Sequence, residues 1–261
     1  MEMETLTKVE TDEDDPSGCG RQEFWVRDSD GVREGPHRSW FQNGNPDTES
    51  VYRAGLLEGS FRRWHLNGTL YLETTFHAGV EDGDQQTWHP NGARRSHTGY
   101  RAGRLDGVFE SWHPNTKPYL RCEYKAGRVI RVTALHDETG RDTMLGDGDL
   151  TVWKACRTPT NTNVCVELRV PATARRVTPV DKWGTYSSRV ESATVVSIRD
   201  DAGVPYQEAD SFVYGHNKIH YVVGDAVSPD GFEPAPDVQN GAGISVHKYR
   251  DHCAVWFRPK N

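Results

Sequence analysis

The sequence predicts a mainly β protein: an elongated antiparallel β-hairpin repeat array with a 24-residue period, followed by a compact β-rich C-terminal domain, β or α+β. Three observations predict it. First, a tryptophan returns every 24 residues, at Trp40, Trp64, Trp88 and Trp112, and its surroundings return with it. Asn43, Asn67, Asn91 and Asn115 follow each Trp, Gly35, Gly59, Gly83 and Gly107 precede it, and Ala-Gly pairs ending in Gly55, Gly79, Gly103 and Gly127 close each unit. An aromatic, Tyr52, Phe76, Tyr100 or Tyr124, stands ahead of each Ala-Gly pair. A fixed register of this kind marks a stacked array, in which each unit buries its apolar face against its neighbours. Second, the runs between these landmarks are short, rich in aromatic and β-branched residues, and bounded by turn residues. Third, hydrophobic content is 35% while the chain holds 25 Gly and 8 Trp, which suits a thin, turn-rich β structure.

The elements follow in chain order. Residues 1–19 hold one Lys and seven acidic residues, too few of them apolar to fold, so a disordered acidic tail is expected there. Residues 20–145 are read as the repeats. In the second complete unit Ser60–His65 and Thr69–Phe76 are strand-like, separated by Leu66-Asn67-Gly68 and closed by His77-Ala78-Gly79. The turns His89-Pro90-Asn91-Gly92 and His113-Pro114-Asn115-Thr116 carry hairpin chemistry, with Thr116 in place of Gly predicting a slightly different fourth turn. Trp25 with Gly31 reads as a truncated first unit and Leu135–Gly140 as a degraded last one.

A unit of two strands advances ~10 Å along a sheet. Where the Trp and the Tyr/Phe columns share a face, they are expected to interleave as one aromatic ladder, a ring roughly every 5 Å. Residues 146–261 lack the period. Strands are expected at Val164–Val170, Thr194–Arg199, Ser211–Tyr214, His220–Val223 and Gly243–Val246, with one short helix over Lys248–Trp256.

The four matches to W-H-x-N-G and Y-x-A-G-x-x-(D/E)-G resemble the MORN-type repeat in a divergent Gly/Trp form. Carried over unit by unit, the acidic-Gly pairs are Glu34-Gly35, Glu58-Gly59, Asp82-Gly83 and Asp106-Gly107. The resemblance implies an all-β meander serving as a binding or scaffolding surface, with no catalytic residue in the repeats. The C-terminal pattern over Val164–Thr178, Ser188–Ile198 and Gly241–Ile244 resembles an uncharacterised module that follows repeat arrays in proteins of large DNA viruses. Members carry Gly-Ile-His near the last motif, where this chain has Gly243-Ile244-Ser245.

Composition narrows the function. The net charge of −7 is concentrated in the first 19 residues, and the rest carries no basic excess of the kind nucleic acid requires. Five cysteines, Cys19, Cys122, Cys156, Cys165 and Cys253, show no CxxC spacing and read as reduced thiols in a cytoplasmic compartment. There is no apolar run near 18 residues and no charged-then-apolar leader, so a soluble, non-secreted chain is expected.

His65, His89 and His113 recur at ~10 Å, too far apart to share one ion, so they read as histidines packed at hairpin turns. In the C-terminal part His216, His220, His247, His252, Asp210, Tyr214 and Cys253 are the candidates for a nucleophile and base. No GxSxG, HExxH, P-loop or dinucleotide glycine pattern accompanies them. The cofactor signature of the lysine methyltransferases that carry such repeats is absent as well.

The expectation is therefore a non-catalytic protein-interaction or scaffold protein without cofactor or metal, viral by resemblance and cytoplasmic, or in the virion if structural. Its partner is another protein or a copy of itself. The alternatives are a peripheral module for anionic lipid and an unrecognised enzyme in residues 146–261. The residues expected to matter are the repeat Trp, Tyr and Phe columns and the eight glycines named above.

Overall fold

The computed structural model describes residues 5–11, 19–180, 186–212, 218–236 and 242–257. The chain is almost wholly antiparallel β, a hairpin array followed by a separate β-rich domain, and forms two compact units, Met1–Arg128 and Val129–Asn261. The division falls at the last Ala-Gly turn. In the strand Arg128–Leu135 the residues Val129, Val132 and Leu135 are buried, and Leu135 O accepts both the Thr143 N–H (2.7 Å) and the Thr143 hydroxyl (2.9 Å).

In the first unit the long strands follow one another in the sheet as they do in sequence: Leu6–Thr11, Cys19–Arg27, Arg33–Phe41, Pro46–Arg53, Gly59–Trp64, Leu70–His77, Gly83–Trp88, Arg94–Arg101, Gly107–Trp112 and Pro118–Lys125. The first of these corrects the expected disordered tail. Leu6–Thr11 pairs along its whole length with Gln22–Arg27, because Leu6 and Val9 sit in a run of β-branched residues and Lys8 meets both Glu10 and Glu23. The acidic stretch 12–18, and the side chain of Cys19, lie outside the described residues.

Two kinds of turn alternate. Ala54-Gly55, Ala78-Gly79, Ala102-Gly103 and Ala126-Gly127 all have positive φ at both residues, the backbone of a two-residue hairpin turn that matches the twist of the strands. At the other end Gly68 N–H bonds His65 O while His65 N–H bonds Thr69 O, both at 2.8 Å, a tight turn followed by a left-handed residue. The pattern repeats at His89–Ala93 and at His113–Lys117, where Thr116 takes the same role at φ 67°. The fourth turn therefore matches the others, contrary to expectation.

Register sets the two faces of the array. Phe61 lies opposite Thr74 and Gly59 opposite Phe76, so Phe61, Thr74 and Phe76 share one face, while Arg62 opposite Glu73 points to the other. On the first face Ser50, Thr74, Thr98 and Cys122, one per unit, are at most 2% exposed.

In the second unit Leu150–Arg157 and Asn163–Val170 form the central hairpin, bordered by Ala193–Arg199 on one side and by Glu208–Ser211 and Ile244–His247 on the other. Ser187–Val190 adds to Ile244–His247. Val152, Val164, Val166, Leu168, Val195, Ile198 and Tyr221 fill the core. The expected strands at Val164–Val170, Thr194–Arg199, His220–Val223 and Gly243–Val246 are present within a residue or so. The run Ser211–Tyr214 is the end of a strand rather than a strand, and its last two residues lie outside the described ones. The short helix is a 3-10 segment, Arg250–Trp256. No helix among the described residues is long and apolar enough to cross a membrane, which says nothing of a β-barrel.

Candidate functional site

The repeat residues form two separate columns rather than one aromatic ladder. Tyr100 lies opposite Gly83, whereas Trp88 stands at the far end of the same strand, opposite Arg94. Five residues of strand place them ~17 Å apart. The rings of the Tyr/Phe column pair with the residue three before each Trp: His37 with Tyr52 at 5.9 Å, Phe61 with Phe76 at 5.5 Å and Phe109 with Tyr124 at 6.1 Å, all edge-on. That partner column escaped the sequence reading because it is His, Phe, Gln, Phe across the units. Trp40, Trp64, Trp88 and Trp112 are half-buried, and arginines cover two of them, Arg21 at 5.0 Å from Trp40 and Arg94 at 5.5 Å from Trp112.

Polar ties join the units. His65 Nε2–H donates to Trp88 O (2.9 Å) and His89 Nε2–H to Trp112 O (3.0 Å). Asn43 Nδ2 donates to Leu66 O, Asn67 Nδ2 to Pro90 O and Asn91 Nδ2 to Pro114 O, at 2.8–2.9 Å. At the opposite rim the Glu34, Glu58 and Asp106 carboxylates accept the N–H of Ala54, Ala78 and Ala126. These bonds hold the carboxyls of Glu58 and Asp106 below the usual range. The His and Asn of the repeat thus bridge neighbours, while the acidic residues tie the two ends of a unit together. All eight predicted glycines have positive φ, so each supplies a backbone shape that side-chain-bearing residues resist.

The second face of the array carries charge of alternating sign. Arg38 meets Glu49 at 3.1 Å, Arg62 meets Glu73 at 2.8 Å and lies 3.9 Å from Glu49, and Arg121 meets Glu110 at 3.2 Å. Gln86 and His97 continue the row between them.

In the C-terminal unit the 3-10 segment gathers several predicted residues. His252 Nε2 lies 3.1 Å from Asp137 Oδ2, and Arg141 reaches both Asp137 and Asp251 at 2.7 Å. Burial pushes the Asp137 carboxyl up, but bonds from Thr139, Arg141 and His252 outweigh it and hold it well below the usual carboxylate range. Asp137 occupies, in the turn Asp137–Arg141, the place His65 has in its own turn. Trp256 Nε1–H donates to His247 Nε2 at 3.0 Å.

Among the described residues Cys253 packs against Cys165 and Ala155. His220 and Asp210 do meet, at 2.9 Å, in a different place beside Lys218 at 2.8 Å from Asp210. The Lys218 and His220 bonds hold the Asp210 carboxyl down. Tyr214 and His216 lie outside the described residues. Among the described residues no group of three His, Cys, Asp or Glu is placed to hold a metal ion.

Cys165, Asp137 and Arg141 were missed by sequence reading. Cys165 alternates with Val164 and Val166 in a strand, and only the pairing of that strand reveals that it faces Cys253. No curated protein matches the chain. Residues 142–253, ending at Cys253 itself, match a family described as Family of unknown function (DUF5758), and this part of the chain is similar to an uncharacterised family.

Proposed function

We propose that the protein is a non-catalytic interaction or scaffold protein, built on a MORN-like repeat sheet and viral in origin, which presents the array to a protein partner in the cytoplasm or the virion. The observation that carries the reading is the use made of the repeat's recurring polar residues. His65 and His89 with Asn43, Asn67 and Asn91 bond the backbone of the next unit, while Glu34, Glu58 and Asp106 tie the two ends of their own, which leaves a preordered sheet with a broad face of fixed charges. Arg38, Arg62 and Arg121 are already held by carboxylates, so docking immobilises little further side-chain freedom. The alternation of sign also disfavours anionic lipid, since adjacent carboxylates cancel the attraction a headgroup layer exerts on arginine.

Affinity capture with the intact chain, beside a chain carrying Arg62→Glu and Arg121→Glu, tests the proposal together with sedimentation on phosphatidylserine vesicles. Surface ion pairs contribute ~0–1 kcal/mol, so the double variant should fold as before. The expected result is a partner captured by the native chain and lost on charge reversal, with no vesicle binding at any salt. Vesicle binding that fades as salt rises would replace this reading with the membrane one.

A further inference from the structure

The strand Asn163–Val170 turns Val164, Val166, Leu168 and Val170 into the main core and Cys165 to the opposite face. There Cys165 packs against Cys253 of the 3-10 segment, with Trp153 and Trp256 alongside. Both cysteines are free. Cys253 is fully enclosed, whereas Cys165, 5% exposed, lines an open groove of about 390 Å³ together with Asp201, Arg250, Asp251, Ala254 and Phe257. One cysteine of the pair thus borders the groove, and the other is enclosed against it.

The surroundings make the pair chemically unequal. The adjacent Cys253 thiol lowers the pKa of Cys165, helped by the Arg250 guanidinium and opposed by burial and by the Asp201 carboxylate. The same pairing, with burial, pushes the Cys253 thiol far up. Cys122 and Cys156, by contrast, are raised to about 12 by burial.

We propose that Cys165 is a hydroperoxide-reactive modification site and that Cys253 resolves it, closing a Cys165–Cys253 disulfide. In the first step the Cys165 thiolate attacks the distal peroxide oxygen. The S–O bond forms, the O–O bond breaks, and the departing alkoxide or hydroxide takes up a proton as alcohol or water. In the second step the Cys253 sulfur attacks the sulfenic sulfur, and hydroxide leaves with the Cys253 proton as water. Two thiols lose two electrons and one hydroperoxide gains them. Arg250, anchored on Asp200 O at 2.8 Å, lines the same groove as Cys165 and favours its thiolate. The disulfide fastens the 3-10 segment to the central hairpin, beside the Asp137–Arg141–Asp251 network.

The test uses the reduced full-length chain and hydrogen peroxide at one equivalent, followed by alkylation and non-reducing peptide mapping. The expected product is a peptide pair linked through Cys165 and Cys253, in excess over any link involving Cys122 or Cys156. Cys253→Ser should stop at a sulfenic acid on Cys165 that dimedone traps, and Arg250→Met should slow peroxide consumption by about 3- to 10-fold. A measurement that needs no variant is competitive alkylation of the native protein, in which Cys165 should react at least about 10 times faster than Cys253. Equal labelling of the four buried cysteines, first reaction at Cys253, or a link that forms only in denaturant would each overturn the proposal.

Discussion

At the level of single residues the repeat shows where side chain and backbone are in conflict. Thr116 stands at φ 67°, where Gly44, Gly68 and Gly92 stand at φ 81–84° in the equivalent turns. A β-branched residue in the left-handed region carries a strain that glycine lacks. The turn is kept because Asn115 Oδ1 accepts the Lys117 N–H at 3.1 Å and the paired strands on either side fix its ends. Thr116→Gly should therefore stabilise the protein by ~1 kcal/mol in urea melts, and the reverse change Gly92→Thr should cost ~1–2 kcal/mol. Nothing lies within 4 Å of a Cβ built on Gly92, so its loss would be conformational alone. A neutral result for both would mean the turn relaxes rather than bearing strain. The turn type was legible in the Asn-Gly signal. The sameness of the fourth turn was not, because local preference alone argues for a different shape and the hydrogen bonds around it override that preference.

Among elements, the strands of the array were legible because turn residues and alternation mark them out, and the ties between units were not. A His whose ring bonds a carbonyl 23 residues away leaves no trace in local pattern. His89, which reads in sequence as a histidine packed at a hairpin turn, also ties its unit to Trp112 O. His89→Ala should cost ~1 kcal/mol and Asn67→Ala ~1–2 kcal/mol, while Trp88→Ala, half-buried rather than enclosed, should cost ~2–4 kcal/mol, all read from equilibrium denaturation. The strand Leu150–Arg157 escaped notice for a different reason. Its inward positions run Val152, Lys154, Cys156, and a lysine whose pKa burial lowers interrupts an otherwise apolar face.

The turn Asp137–Arg141 adds a dependence on pH. Since the folded Asp137 carboxyl lies below its unfolded value of ~3.9, its contribution is complete above about pH 4 and declines as pH falls below that. Asp137→Asn should cost ~2–4 kcal/mol at pH 6 and flatten the loss of stability below about pH 4. If the native chain and the variant lost stability equally on acidification, another carboxylate would be responsible.

At the scale of the whole molecule, the two compact units draw on different physics. The array binds each unit to the next through strand pairing and side chain to backbone bonds, with edge-on ring pairs inside each unit, so its stability is a sum of neighbour terms. The C-terminal unit has one enclosed core in which Val152, Val166, Leu168 and Tyr221 are fully buried. The sequence revealed this contrast through the 24-residue period and its end. A substitution in one unit should accordingly report in that unit. Leu168→Ala removes methyl groups from a site that is 0% exposed and should cost ~2–5 kcal/mol. In hydrogen exchange followed by peptide, protection should fall across the strands from Leu150 to His247, while peptides from Gly59 to Lys125 keep the native rates. Equal loss in both sets would show a single cooperative fold. The neighbour-by-neighbour stability inferred for the array would then have to give way to coupling between the units.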